Sequence, residues 1–230
     1  MTPDGQSILS NLHTVAAERE RRRTDAALSA RVEAVKTYQH DRFAATYKDL
    51  LTHPRYGRAA RFFLEDLYGP QDFTERDAQF ARIVPGLVRL FPRDIVQTVS
   101  ALAALHALSE QLDSAMGALV GAGALDADGY AVAWRTVARA DDRERQIALM
   151  LQVGSSLDGF TRKPLLRHSL RLMRGPAAAA GLAALQRFLE EGFETFREMQ
   201  GAQGFLDTIA KRERGLAAEL FTGASGVAVS

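Results

Sequence analysis

No residue between Asp94 and Glu110 carries a formal charge, and that stretch limits the fold more than any other. A helix beginning with Pro92 at its first position, where a missing N–H costs nothing, advances about 100° per residue. Thr98, Leu102, Leu105, Leu108, Leu112, Met116 and Leu119 then share one face. The opposite face carries Ser100, Ala103, Ala104, Ala107, Ser114 and Ala118. A surface helix would place Lys or Glu there, so small residues imply neighbours on several sides. The pattern predicts a buried central helix over about residues 92–120, with Ala103 and Ala107 shielded from solvent.

The three- and four-residue period recurs along the rest of the chain, and no stretch alternates with period two. The fold class is therefore all-α: eight or nine helices packed around residues 92–120, as a single domain over 1–230. A long first helix spans about 7–51, with Leu28, Val32, Val35, Phe43, Tyr47 and Leu50 on its apolar side. Its segment from Glu18 to Arg23 has almost no apolar face and reads as solvated and partly protruding. Pro54 opens a helix over 55–68, which Gly69-Pro70 closes. Thr74 is the expected N-cap of a helix to about 91 that Pro85-Gly86 would bend. Helices follow at about 128–139, 142–157, 164–174, 177–200 and 203–221, and 222–230 reads as a frayed tail. In the helix over 177–200, Leu182, Leu185, Leu189, Gly192, Phe196 and Met199 form a seam, with Gly192 permitting a close crossing.

Composition rules out several chemistries. The chain of 230 residues contains no cysteine, which removes disulfides, thiolate metal sites and Cys nucleophiles together. A net charge of +1 gives no global field toward nucleic acid or anionic lipid, so nucleic acid is a disfavoured partner. No run reaches the roughly 18 apolar residues of a membrane span, and the polar start lacks a signal-peptide core, so the expected location is cytoplasmic. Nucleotide-binding Gly-rich loops, H-E-x-x-H, the E-x-x-H pair of di-iron bundles and G-x-S-x-G are absent. No catalytic residue, metal or cofactor is assigned from the sequence.

Phe62 to Tyr68 reads FFLEDLY. This string resembles the signature of an uncharacterised bacterial family named for an FFLEELY motif, with Asp66 standing where the motif has Glu. The resemblance covers those seven residues and the adjoining Gly69-Pro70. It implies a bacterial protein and brings no activity, cofactor or catalytic residue.

Polar residues in apolar settings are the candidate ligand contacts. Asp66 projects between Phe62 and Ala59 in the apolar arc of its helix, where a carboxylate must find a partner or shift its pKa. Tyr68 follows two residues on. His106, Ser109 and Asp113 form a column on the flank of the central helix. His106 and Asp113 are about two turns, or about 10 Å, apart, too far for a direct dyad. Such groups are more often satisfied by structural partners than by ligands.

The helix over 162–174 carries Arg162, Lys163, Arg167, His168, Arg171 and Arg174 and no acid. It is the candidate surface for an anion or for a protein or acidic partner, unless Glu190, Glu191, Glu194 and Glu198 neutralise it. The favoured function is a non-enzymatic helical interaction or regulatory protein. The alternative is a helical binder of a small molecule or cofactor, with its pocket between the central helix and residues 62–68.

Overall fold

Residues 2–67 and 73–223 are described by the computed structural model, less the side chains of Asp66, Leu67 and Pro164. Every regular element among them is helical. The expected helix over 7–51 is divided into α1 (Pro3–Arg23), α2 (Ala26–Thr46) and the short α3 (Lys48–Thr52). The division has a local cause. Asp25 is extended (φ −130°), and its carboxylate accepts from the Leu28 N–H at 2.9 Å, satisfying a donor that a continuing helix would have used. The chain turns there, so that α1 and α2 both pack along one later helix.

α4 (Gly57–Phe62) passes directly into a π-helical turn (Phe63–Leu67), where a single helix was expected over 55–68. α5 (Thr74–Leu90) accommodates Pro85 internally, and Thr74 is its first residue, not its side-chain cap. α6 (Arg93–Gly117) starts one residue after Pro92, which takes the cap position. α7 (Ala127–Val137) is capped by Asp126, which accepts from the Gly129 N–H at 2.8 Å. α8 (Ala140–Thr161) follows, and the basic segment then divides into α9 (Pro164–Leu172) and α10 (Arg174–Ala179). α11 (Ala183–Met199) and α12 (Gln203–Thr222) complete the order. These breaks give more helices than the eight or nine expected. No helix among the described residues is long and apolar enough to cross a membrane. Tyr68, Gly69-Pro70 and the tail beyond Gly223 lie outside the described residues.

Buried side chains collect in three clusters, and α6 contributes to each: Val96 and Ala103 to one, Leu105 to another, Met116 to the third. α6 packs against α1, α2, α5, α7 and α8. On α6, Ala103 and Ala107 are buried while Leu102 is half-buried. Fully burying a side chain such as Phe63, Phe196 or Phe205 contributes about 1.5–3 kcal/mol each.

Two glycines lie at close helix crossings. A Cβ on Gly117 of α6 would lie 2.4 Å from Val32 Cγ2 and 3.2 Å from the Val32 backbone nitrogen, so α2 crosses where α6 has no side chain. On α11, a Cβ on Gly192 would meet the Phe62 ring at 3.1 Å, consistent with a close crossing there.

Candidate functional site

The polar residues of α6 recur at 106, 109, 110, 113 and 114, a spacing that stacks them on one flank. α1 and α2 lie along that flank and face it with Arg19, Arg22, Lys36 and Gln39. The result is a row of polar side chains within the helical body. At its middle, Glu110 is buried and accepts from Arg22 Nη2 at 2.5 Å and from Lys36 Nζ at 3.0 Å. Arg22 also donates to Ser114 Oγ at 3.0 Å. Burial pushes the Glu110 carboxyl upward, but the neighbouring His106, Lys36 and Arg22 prevail and hold it well below the usual carboxylate range.

The Glu18–Arg23 segment, expected to protrude in solvent, thus supplies two cations, Arg19 and Arg22, to the polar flank of α6. Buried ionic groups persist only when paired and hydrogen-bonded. Arg19 and Arg22 are three residues apart, so both fall on the face of α1 that meets α6.

His106 heads the row. Its Nε2 lies 3.3 Å from Arg19 Nη2 and 3.5 Å from Glu110 Oε1, and its Nδ1 lies 3.6 Å from Asp77 Oδ2 on α5. Arg19 approaches the same Asp77 oxygen at 2.9 Å without the alignment of a hydrogen bond, leaving that buried oxygen without one. At the other end Asp113 accepts from Gln39 Nε2 at 3.1 Å, and Gln39 also reaches the Tyr130 hydroxyl at 3.5 Å. Burial pushes the Asp113 carboxyl upward, and repulsion from Glu110 adds to this against the pull of Lys36. His106 and Asp113 therefore share a row without sharing partners. Among the described residues no group of three or more His, Asp or Glu could hold a metal ion.

A cleft of about 90 Å³ opens beside His106, between α1, α5, α6 and α11. Leu12, Phe80, Val99, Leu102, Phe188 and Leu189 form its apolar wall, and Arg76, Asp77, His106 and Ser109 its polar end. No described residue of 62–68, the segment expected to share a pocket with α6, lines this cleft. Their link is indirect. Phe62 stacks on Phe188 at 5.6 Å, and the Arg76 guanidinium lies 4.3 Å from the centre of the same Phe188 ring. The π-helical turn begins at the residue after Phe62, a backbone form often found at functional sites. The Asp66 side chain and Tyr68 lie outside the described residues.

The basic residues of 162–174 meet carboxylates. Arg162 pairs with Asp158, Lys163 with Asp94 at 2.5 Å, and Arg167 with Glu194 at 2.9 Å. Arg171 lies 3.6 Å from Glu194, and Arg174 meets Glu190 at 2.5 Å. His168 is exposed. Exposed pairs of this kind contribute only about 0–1 kcal/mol each, but they cancel local charge, leaving α9 less basic than its composition suggests.

Sequence reading missed Glu110, Asp77, Arg19, Arg22 and Lys36. The available signal was the four-residue step from His106 to Glu110, which puts both on one face.

No curated protein and no solved structure matches the chain. Residues 18–226 match the model of a domain of unknown function, DUF8198, a span that takes in the whole polar row from Arg19 to Tyr130. The chain belongs to the DUF8198 family.

Proposed function

We propose that this protein binds a small molecule in the cleft beside His106, and that the ligand has a compact apolar body and a hydroxyl or amino head. The observation that carries this reading is Asp77 Oδ2, a buried carboxylate oxygen at the polar end of an apolar cleft, ion-paired with Arg19 at 2.9 Å but with no hydrogen bond made to it. A buried acceptor left open costs about 1–3 kcal/mol, and a donating head group would satisfy it. The His106 ring stands 3.6 Å from that oxygen and can donate or accept according to tautomer. An apolar wall with a few convergent polar groups is the usual form of a ligand pocket.

The two charge-rich stretches that favoured a docking protein are engaged in intramolecular pairs, which moves the balance toward the binder. Calorimetric titration of hexylamine, hexanol and hexanoate tests this. Saturable binding of the amine or alcohol is expected. Binding of hexanoate alone, or of none of the three, would contradict the reading.

A partner seated on α9 is a second reading, favoured by Leu165 and Leu172, which are 80% and 78% exposed beside the cations of that helix. Retention on an acidic-peptide resin, compared between the wild type and Leu165→Ser/Leu172→Ser, tests it; equal retention would count against it. We also read residues 62–68 as the FFLEELY signature of a bacterial family.

A further inference from the structure

A second cavity, of about 40 Å³, lies between α2, α7, α8 and α12, with room for roughly three water molecules. Gln39, Arg42, Tyr130, Trp134, Arg143 and Glu213 line it. Its charges do not balance. Glu213 is occupied, accepting from both terminal nitrogens of Arg42, at 3.1 Å and 3.3 Å, and from the Tyr47 hydroxyl at 2.7 Å. Arg143 is 5% exposed, yet its guanidinium donates only to neutral groups: Gln146 Oε1 at 3.1 Å and Met116 Sδ at 3.0 Å. Its guanidinium carbon also lies 3.8 Å from the centre of the Trp134 ring.

Among the described residues no carboxylate forms an ion pair with Arg143. Asp113 acts on it electrostatically but is held by Gln39, 3.1 Å away. Donors are also in surplus. Trp134 Nε1 and Arg42 Nε are both buried without an acceptor. An interior that holds an unpaired cation and two orphaned N–H groups lacks an anion, because each of these features is costly alone. Burial accordingly pulls Arg143 below the ordinary arginine range.

We propose that this cavity is a binding site for a small oxyanion of acetate or phosphate size, with Arg143 as its principal counter-ion and the Trp134 and Arg42 N–H groups as further donors. The guanidinium fork suits two oxygens of either anion. The site is separate from the cleft beside His106 and stands or falls independently of it.

Trp134 is the sole tryptophan, so its emission reports on the site directly. The wild-type chain is titrated with sodium phosphate and, separately, with sodium acetate, at an ionic strength held constant with sodium chloride. A saturable change in emission is expected, together with a Tm that rises with the logarithm of anion concentration. Saturation by one anion and not the other identifies whether the site takes phosphate or carboxylate. Arg143→Met keeps the length of the side chain and removes its charge. That variant should melt no lower than the wild type in chloride alone and should lose the anion response. Arg143→Lys, which keeps the charge without the fork, should weaken binding roughly tenfold or more. No response to either anion at tens of millimolar, an equal response to chloride, or unchanged affinity in both variants would overturn the proposal.

Discussion

Arg22 on α1 donates to Glu110 on α6 across 2.5 Å, and both side chains are more than nine-tenths shielded from solvent. The two lie 88 residues apart in the chain, so this bond ties the N-terminal helix to the polar flank of α6. It draws one face of a charged segment that looks solvated into the interior, while Glu20, Arg21 and Arg23 stay exposed.

Removing the Glu110 carboxylate should leave Arg22 and Lys36 buried or half-buried without their shared acceptor. Glu110→Ala is expected to lower the unfolding free energy by about 3–5 kcal/mol, as breaking a buried pair does. The concerted change Arg22→Met/Lys36→Met/Glu110→Leu should recover most of that loss, because hydrophobic replacement of a whole buried ionic group is often neutral. Urea unfolding of the three proteins measures both. A Glu110→Ala protein within about 1 kcal/mol of wild type would show that the row is not buried as described.

Asp113 and Glu110 should respond to pH in opposite senses. The folded state raises Asp113 above 3.8, so its contribution is fully present below that value and is lost as pH rises through the raised folded value. Glu110 is depressed below 4.5, so its contribution is present above that value and is lost as pH falls through the depressed folded value. The unfolding free energy of wild type minus that of Asp113→Asn should therefore decrease as pH rises from about 4 toward neutrality. A flat difference across that window would mean that Asp113 is not held above its ordinary value.

Gly117→Ala should drive a methyl group into Val32. Overpacking of this kind costs about 1–3 kcal/mol. Val32→Ala in the same chain should recover part of the loss, since the nearest atom is the Val32 Cγ2, although the backbone nitrogen at 3.2 Å stays close. Thermal melts of the single and double variants decide this. A Gly117→Ala protein with unchanged Tm would contradict the close crossing of α2 and α6.

Local patterns carried much of this architecture, and long-range pairing did not. The uncharged run after Asp94 announced α6 as a helix with neighbours on several sides, since an exposed face would carry charge. The break between α1 and α2 was also written locally, in an Asp three residues before Leu28, but the continuing apolar period across it favoured one long helix. Glu110 was harder to read. The cations that allow it to be buried sit on α1 and α2, far away in sequence. His106 and Asp113 were legible as polar residues beside an apolar stripe. Asp77 was not legible as part of the site, because nothing local shows that α5 brings it to His106. Of the acids that pair with the 162–174 segment, Glu190 and Glu194 were legible because they fall on one helical face, but Asp94 and Asp158 were not.

Filling the cleft should separate binding from folding. Val99 is half-buried on the cleft wall, and Val99→Trp would place an indole in the space assigned to the ligand's apolar body. The variant is expected to unfold in one cooperative transition and to lose the heat of hexylamine or hexanol binding. Undiminished binding in Val99→Trp would place the ligand elsewhere.

The most direct test follows the imidazole resonances of the five histidines by two-dimensional NMR while hexylamine or hexanol is added. Because His106 stands at the polar end of the cleft, its ring signals should move saturably while those of His13, His40, His53 and His168 stay in place. Resonances that all stay fixed, or that all drift together, would contradict a ligand site at Asp77 and His106.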